Sequence, residues 1–154
     1  MRRISLADSA EKSVSILEGD VKVKADDKRF LRILRDAVVR PPATVPRITS
    51  VVSVVLSNHP AKMTVGLTRY HDVRYLLVLS RPRQTITFYS ELLDALSDLA
   101  AEAVMAHELA HAWLNEHVQP EESPEREEEA DRLAREWGFG PELDALDMEA
   151  ETIS

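Results

Sequence analysis

The stretch EAVMAHELAHAWLNEH, Glu102 to His117, carries three of the chain's five histidines and decides how the rest is read. His107 and His111 are four residues apart. On a helix their imidazoles project from one face, one turn apart, and can contact a single zinc ion. Glu108 lies beside the first histidine, where a carboxylate can accept a proton from a water molecule on the metal as that water attacks a carbonyl. Ala103, Ala106, Ala110 and Ala112 keep the helix surface small, so other elements can pack close around the histidines. The bland alternative is a surface helix with two exposed histidines.

A catalytic zinc has three protein ligands and one open position. The chain has no cysteine, so a third ligand must be His, Asp or Glu, and disulfides and thiolate nucleophiles are excluded. Downstream lies Glu127-Glu128-Glu129-Ala130-Asp131. Glu127 and Asp131 share a helical face there, while Ala130, Leu133, Ala134 and Trp137 supply the buried side. In one arrangement Glu127 binds the metal and Asp131 accepts a hydrogen bond from the free ring nitrogen of a bound histidine. Glu128, or Asp131 itself, is the ligand if that helix is rotated or shifted by a turn. The same run also reads simply as negative charge at a helix N-terminus.

Around this pair the period of the sequence changes. Phe30, Leu31, Leu34 and Val38 predict a helix from about Asp27 to Val39, before Pro41-Pro42. From Ile48 to Phe88, β-branched runs predict three or four short strands, broken at Asn58-His59-Pro60, Tyr70-His71-Asp72 and Arg81-Pro82. Val51–Leu56 and Tyr75–Leu79 read as buried strands, and Phe88 and Tyr89 as the end of an edge strand. A short helical segment LLDAL follows, then a long helix capped by Asp98 and reaching about His117. A second helix runs from about Glu125 to Trp137, ending near Gly138, and Pro141 opens a last short one. The expected class is α+β: a small mixed sheet packed on a zinc-binding helix and a following glutamate helix. Residues 1–24 have weak periodicity and read as a weakly structured arm, with a single domain over 25–154.

Composition narrows the function classes. A formal charge of −8 over 154 residues provides no basic surplus for phosphate backbones, so no nucleic-acid partner is expected. The apolar runs are too short for membrane insertion, and the N-terminal MRRISLADSAEKS lacks the apolar core of an export signal, which points to the cytoplasm. Four scattered glycines form no phosphate loop, and no serine sits in a recognisable nucleophile turn. Metal-assisted hydrolysis is the one reaction with a complete residue set.

His107-Glu108-Leu109-Ala110-His111 followed by Glu127-Glu128-Glu129-Ala130-Asp131-Arg132-Leu133-Ala134 resembles the gluzincin metallopeptidases. In that family HExxH on one helix is completed by a glutamate in an ExxxD pattern on a later helix. The run TITFYSELLDALSDLAAEAVMAHELAH is similar to the strand, short helix and zinc helix of the CAAX-processing and HtpX-type peptidases. The resemblance covers roughly Lys62 to Leu146. It implies a minimal zincin-like domain, one zinc ion held by His107, His111 and Glu127, Glu108 as general base, Asp131 orienting a histidine, and a peptide or protein substrate laid along an edge strand. Those relatives carry membrane helices, which this chain lacks, so it is nearer the soluble minimal gluzincins.

Relatives also place an Arg, His or Tyr beyond the glutamate helix to stabilise the oxyanion, and after Arg135 this chain has none. Tyr70, His71, His117, Arg132 and Arg135 are the substitutes the sequence offers. Trp113 and Trp137 fit a core better than a binding platform, and His59 beside Pro60 fits a turn. The leading expectation is a zinc-dependent endopeptidase. The alternatives are a zincin-fold regulatory or peptide-binding protein with little or no proteolysis, or an ImmA-like protease that cuts a specific repressor. Oligomeric state has no sequence signal.

Overall fold

A computed structural model describes residues 2–3, 14–58, 66–74 and 80–153. The class is α+β, as expected. Five strands form one mixed sheet: β1 (Arg2–Arg3), β2 (Lys22–Lys24), β3 (Val51–Ser57), β4 (Gly66–Arg74) and β5 (Ser80–Tyr89), in the order β1-β2-β3-β5-β4. The three central strands run parallel, and β1 and β4 close the two edges antiparallel.

The helices are α1 (Lys28–Val39), α2 (Ser90–Asp94), α3 (Asp98–His117), α4 (Pro124–Ala134) and α5 (Gly140–Ile153). Asp27 caps α1 by accepting from the Phe30 N–H at 3.0 Å, and its buried stripe is Phe30, Leu31, Ile33, Leu34, Ala37 and Val38. On β5, alternate residues Gln84, Ile86 and Phe88 are buried, and the Phe88 ring meets Phe30 edge to face at 5.6 Å. α3 runs close to β4 and β5, and α4 and α5 pack back against α3.

Several sequence expectations are corrected. The breaks placed at Tyr70-His71-Asp72 and Arg81-Pro82 lie inside β4 and β5, where Asp72 pairs with Pro82. Pro82 is tolerated because β3 pairs with β5 only from Gln84 onward, so no β3 carbonyl lacks a donor there. β5 is an interior strand, so Phe88 and Tyr89 do not end an edge; β4 is the edge. The strand expected at Tyr75–Leu79 and the turn at His59 fall outside the described residues.

The cap of α3 is Ser97, whose Oγ accepts from the Ala100 N–H at 3.2 Å, while Asp98 in the first turn pairs with Arg29 and Arg32. The single helix expected over Glu125–Trp137 is α-helical to Ala134, followed by a π-helical turn over Arg135–Phe139 in which Gly138 takes φ +101°. Only glycine occupies that region without strain.

Residues 14–24, read as part of a weakly structured arm, are built into the core: Ile16, Leu17, Val21 and Val23 are buried. Ile16 donates to the Val38 carbonyl at 2.7 Å and accepts from the Ile48 N–H at 2.7 Å, and β2 pairs with β3. Among the described residues, no helix is long and apolar enough to cross a membrane.

Candidate metal centre

α3 sets the geometry. His107 and His111 lie on one face, their rings 4.6 Å apart and near perpendicular, with the two Nε2 atoms 3.0 Å apart. Ala106, Ala110 and Ala112 around them are buried, as the small side chains allow. After α3 the chain turns through residues 118–123 and re-enters helix at Pro124. There Ser123 accepts from the Arg126 N–H at 3.0 Å and is itself held by Glu121. Pro124 at the start and Glu125 and Glu127 in the first turn suit the positive end of the helix dipole. The bland reading of the acidic run therefore holds alongside a second role.

That second role is geometric. Glu127 Oε2 lies 2.9 Å from His107 Nε2 and in direct contact with His111 Nε2. The three donor atoms converge, as a group able to hold a metal ion. Bonds of about 2.0–2.2 Å to N and O in a tetrahedral site put donors roughly 3.3 Å apart. The His107–Glu127 and His107–His111 spacings of 2.9 and 3.0 Å are slightly tighter than that and the His111–Glu127 contact is tighter still, and the donor set suits zinc.

One turn further along α4, Asp131 Oδ1 lies 2.8 Å from His107 Nδ1. A metal-binding imidazole is neutral, so this contact assigns the Nδ1 proton as the donor and leaves the Nε2 lone pair facing His111 and Glu127. Without a metal the same geometry favours a proton in its place. Burial opposes charge on His107, but hydrogen bonds to Asp131 and Glu127 and the nearby Glu108 and Asp131 charges overcome it, raising its pKa to about 10. The His107 hydrogen bond holds Glu127 down at about 2, against the opposing effect of burial and with help from His111. A metal ion held by these three donors would take the place of that proton.

Glu108 is buried and close enough to His107 for its charge to be felt there. Glu128 is exposed on α4, and Glu129 lies 3.7 Å from the Arg126 guanidinium, so neither joins the histidines. His117 does not approach the pair: its Nε2 bonds the Arg47 carbonyl at 2.9 Å and its ring lies against Trp113. Arg135 is turned to Asp144 at 3.0 Å, and Arg132 is exposed. Tyr70 and His71 belong to the edge strand β4, opposite Gln84 and Arg83. Trp137 is buried in the core, and Trp113 packs partly buried with its N–H on the Pro46 carbonyl at 3.0 Å.

Sequence reading missed Arg126. It is 2% exposed, and its Nη1 donates to the Gln119 carbonyl at 2.6 Å, tying the loop to the residue before Glu127. Nothing in a glutamate-rich helix start marks one arginine as buried.

No curated protein matches the chain, and neither does any solved structure. Residues 75–123, about a third of the chain, match the sequence profile of peptidase family M48, whose members are metal-dependent peptidases. The match includes His107, Glu108 and His111 and stops short of Glu127. The segment that carries both histidines is thus similar to a metallopeptidase family, and that similarity supports a metal-dependent hydrolase.

Proposed function

We propose that the chain is a zinc-dependent endopeptidase in which His107, His111 and Glu127 hold one zinc ion, Glu108 is the general base and Asp131 orients His107. The observation that carries this reading is the convergence of two imidazole Nε2 atoms and one carboxylate oxygen from separate helices, with Asp131 on the far nitrogen of His107. A zinc ion in such a site lowers the pKa of a bound water to near neutral and polarises a carbonyl. Glu108 sits beside His107, where it can take the water's proton and pass it to the leaving amine. Asp131 keeps the His107 Nε2 lone pair directed at the ligand position and makes the imidazole more electron-rich. β4 is a sheet edge along which an extended peptide can add as a further strand. Of the oxyanion donors the sequence offers, His117 and Arg135 are engaged elsewhere.

Proteolysis of a disordered, casein-like substrate tests the reading. Glu108→Gln should keep zinc and lose cleavage by about 10²–10⁴-fold. Equal, chelator-insensitive cleavage by both proteins would defeat it.

A further inference from the structure

α3 is buried nearly all round, and much of that surface is alanine: Ala100, Ala101, Ala103, Ala106, Ala110 and Ala112. A helix with one apolar stripe is oriented by burying that stripe, whereas a helix apolar on all sides has little rotational preference from burial. The metal centre needs such a preference. Ligand atoms roughly 5–6 Å from the helix axis move about 1 Å for a rotation of about 10°, and metal bonds tolerate about 0.2 Å.

Salt bridges of Asp98 and Glu102 and the hydrogen bonds of Trp113 and His117 hold the exposed side of α3, and a buried amide on the sheet supplies direction from within the core. Gln84 on β5 is fully buried, and its Nε2 donates to the Ala112 carbonyl at 2.9 Å and to Ser50 Oγ at 2.8 Å. Asn115 Nδ2 donates to Gln84 Oε1 at 3.0 Å. The amide orientations are fixed by chemistry: the Ala112 carbonyl only accepts, so Nε2 must face it, and the Gln84 oxygen must then face the Asn115 nitrogen. Ala112 follows His111, and Asn115 lies one turn beyond it. Glu116 extends the same attachment, its Oε1 accepting from the N–H groups of Thr49 and Ser50 at 2.8 and 2.7 Å.

We propose that Gln84 and Asn115 are positioning residues for the metal centre, a buried amide pair that fixes the rotation of α3 and so where His107 and His111 meet Glu127. The inference rests on the zinc-site reading above. Two amides in an apolar core cost free energy unless paired, and their hydrogen bonds are directional in a way that alanine packing is not.

The test replaces both amides together, Gln84→Leu with Asn115→Leu, so that neither leaves the other unpaired. The metal-free double variant should fold and melt near wild type, while its zinc affinity, measured against a chromogenic chelator, falls about 10–100-fold. The visible absorption of the cobalt(II)-substituted site should shift and broaden. A folded double variant with wild-type zinc affinity and cobalt spectrum overturns the proposal, because packing alone then orients α3. If the double variant does not fold, Gln84→Met, which keeps length and removes the donor to Ala112, should show the same loss of affinity, and unchanged affinity overturns the proposal equally. Failure of wild type to bind zinc removes the metal-centre reading and this proposal with it. Equal binding by wild type and variants removes only the positioning role.

Discussion

His107 is where the chemistry of the centre is concentrated, with Asp131 on one ring nitrogen and Glu127 and His111 on the other. Its raised pKa and the lowered pKa of Glu127 have opposite consequences for stability with pH. The His107 contribution is complete below its ordinary value of 6.5 and lost as pH rises toward about 10. The Glu127 contribution is complete above its ordinary 4.5 and lost as pH falls toward about 2. The chelated protein should therefore exceed Glu127→Gln in melting temperature most between pH 4.5 and 6.5, a window set by those values. A difference that grows steadily into alkaline pH would contradict the pairing. Zinc bound there would displace the proton, so the stabilisation it adds should increase with pH over the range where the metal-free contribution fades. Asp131→Ala should weaken zinc binding by about 10–100-fold, with Glu128→Ala at wild-type affinity.

At the scale of elements, local signals read well and tertiary ones poorly. α3 was legible because the histidine spacing, the alanines and the downstream loop all lie within one stretch, whereas helical spacing left Glu127, Glu128 and Asp131 open and only the family resemblance singled out Glu127. The strand breaks were misread because Pro82 and the Tyr70-His71-Asp72 run are strong local turn signals. Tolerance of Pro82 depends on where β3 stops alongside β5, and the Tyr70-His71-Asp72 run is held by its pairing with β5, neither of which sequence spacing contains. The Ser97 cap and Asp98 were off by one position because Asp98 is drawn to Arg29 and Arg32 on α1. Between α4 and α5, Gly138 adopts φ +101° and its carbonyl accepts from Arg40 Nη2 at 2.8 Å. Gly138→Ala should cost about 1–2 kcal/mol, from backbone strain alone, since a Cβ there meets nothing within 4 Å. Denaturant unfolding would measure it. Zinc affinity of the folded variant should be unchanged, because Glu127 lies in the first turn of α4, far along the chain from the kink.

For the whole molecule, the sheet and helices share one buried cluster, from Ile16 near the start to Leu143 on α5. Residues 14–24 join it through backbone pairing with β3, Ile48 and Val38, partners tens of residues away, so no local period announces them. A core of that extent should persist without metal, unlike a zinc finger, with the metal adding stability by linkage. At free zinc a hundred times its dissociation constant that addition is about 2.7 kcal/mol. Zinc titration of the metal-free protein against a chromogenic chelator, in wild type and Glu127→Ala, addresses the centre itself. One tightly bound zinc per wild-type chain is expected, with a higher melting temperature on loading and loss of tight binding in Glu127→Ala. Wild type that takes up no zinc, or Glu127→Ala that binds it as tightly as wild type, would contradict a centre built from His107, His111 and Glu127.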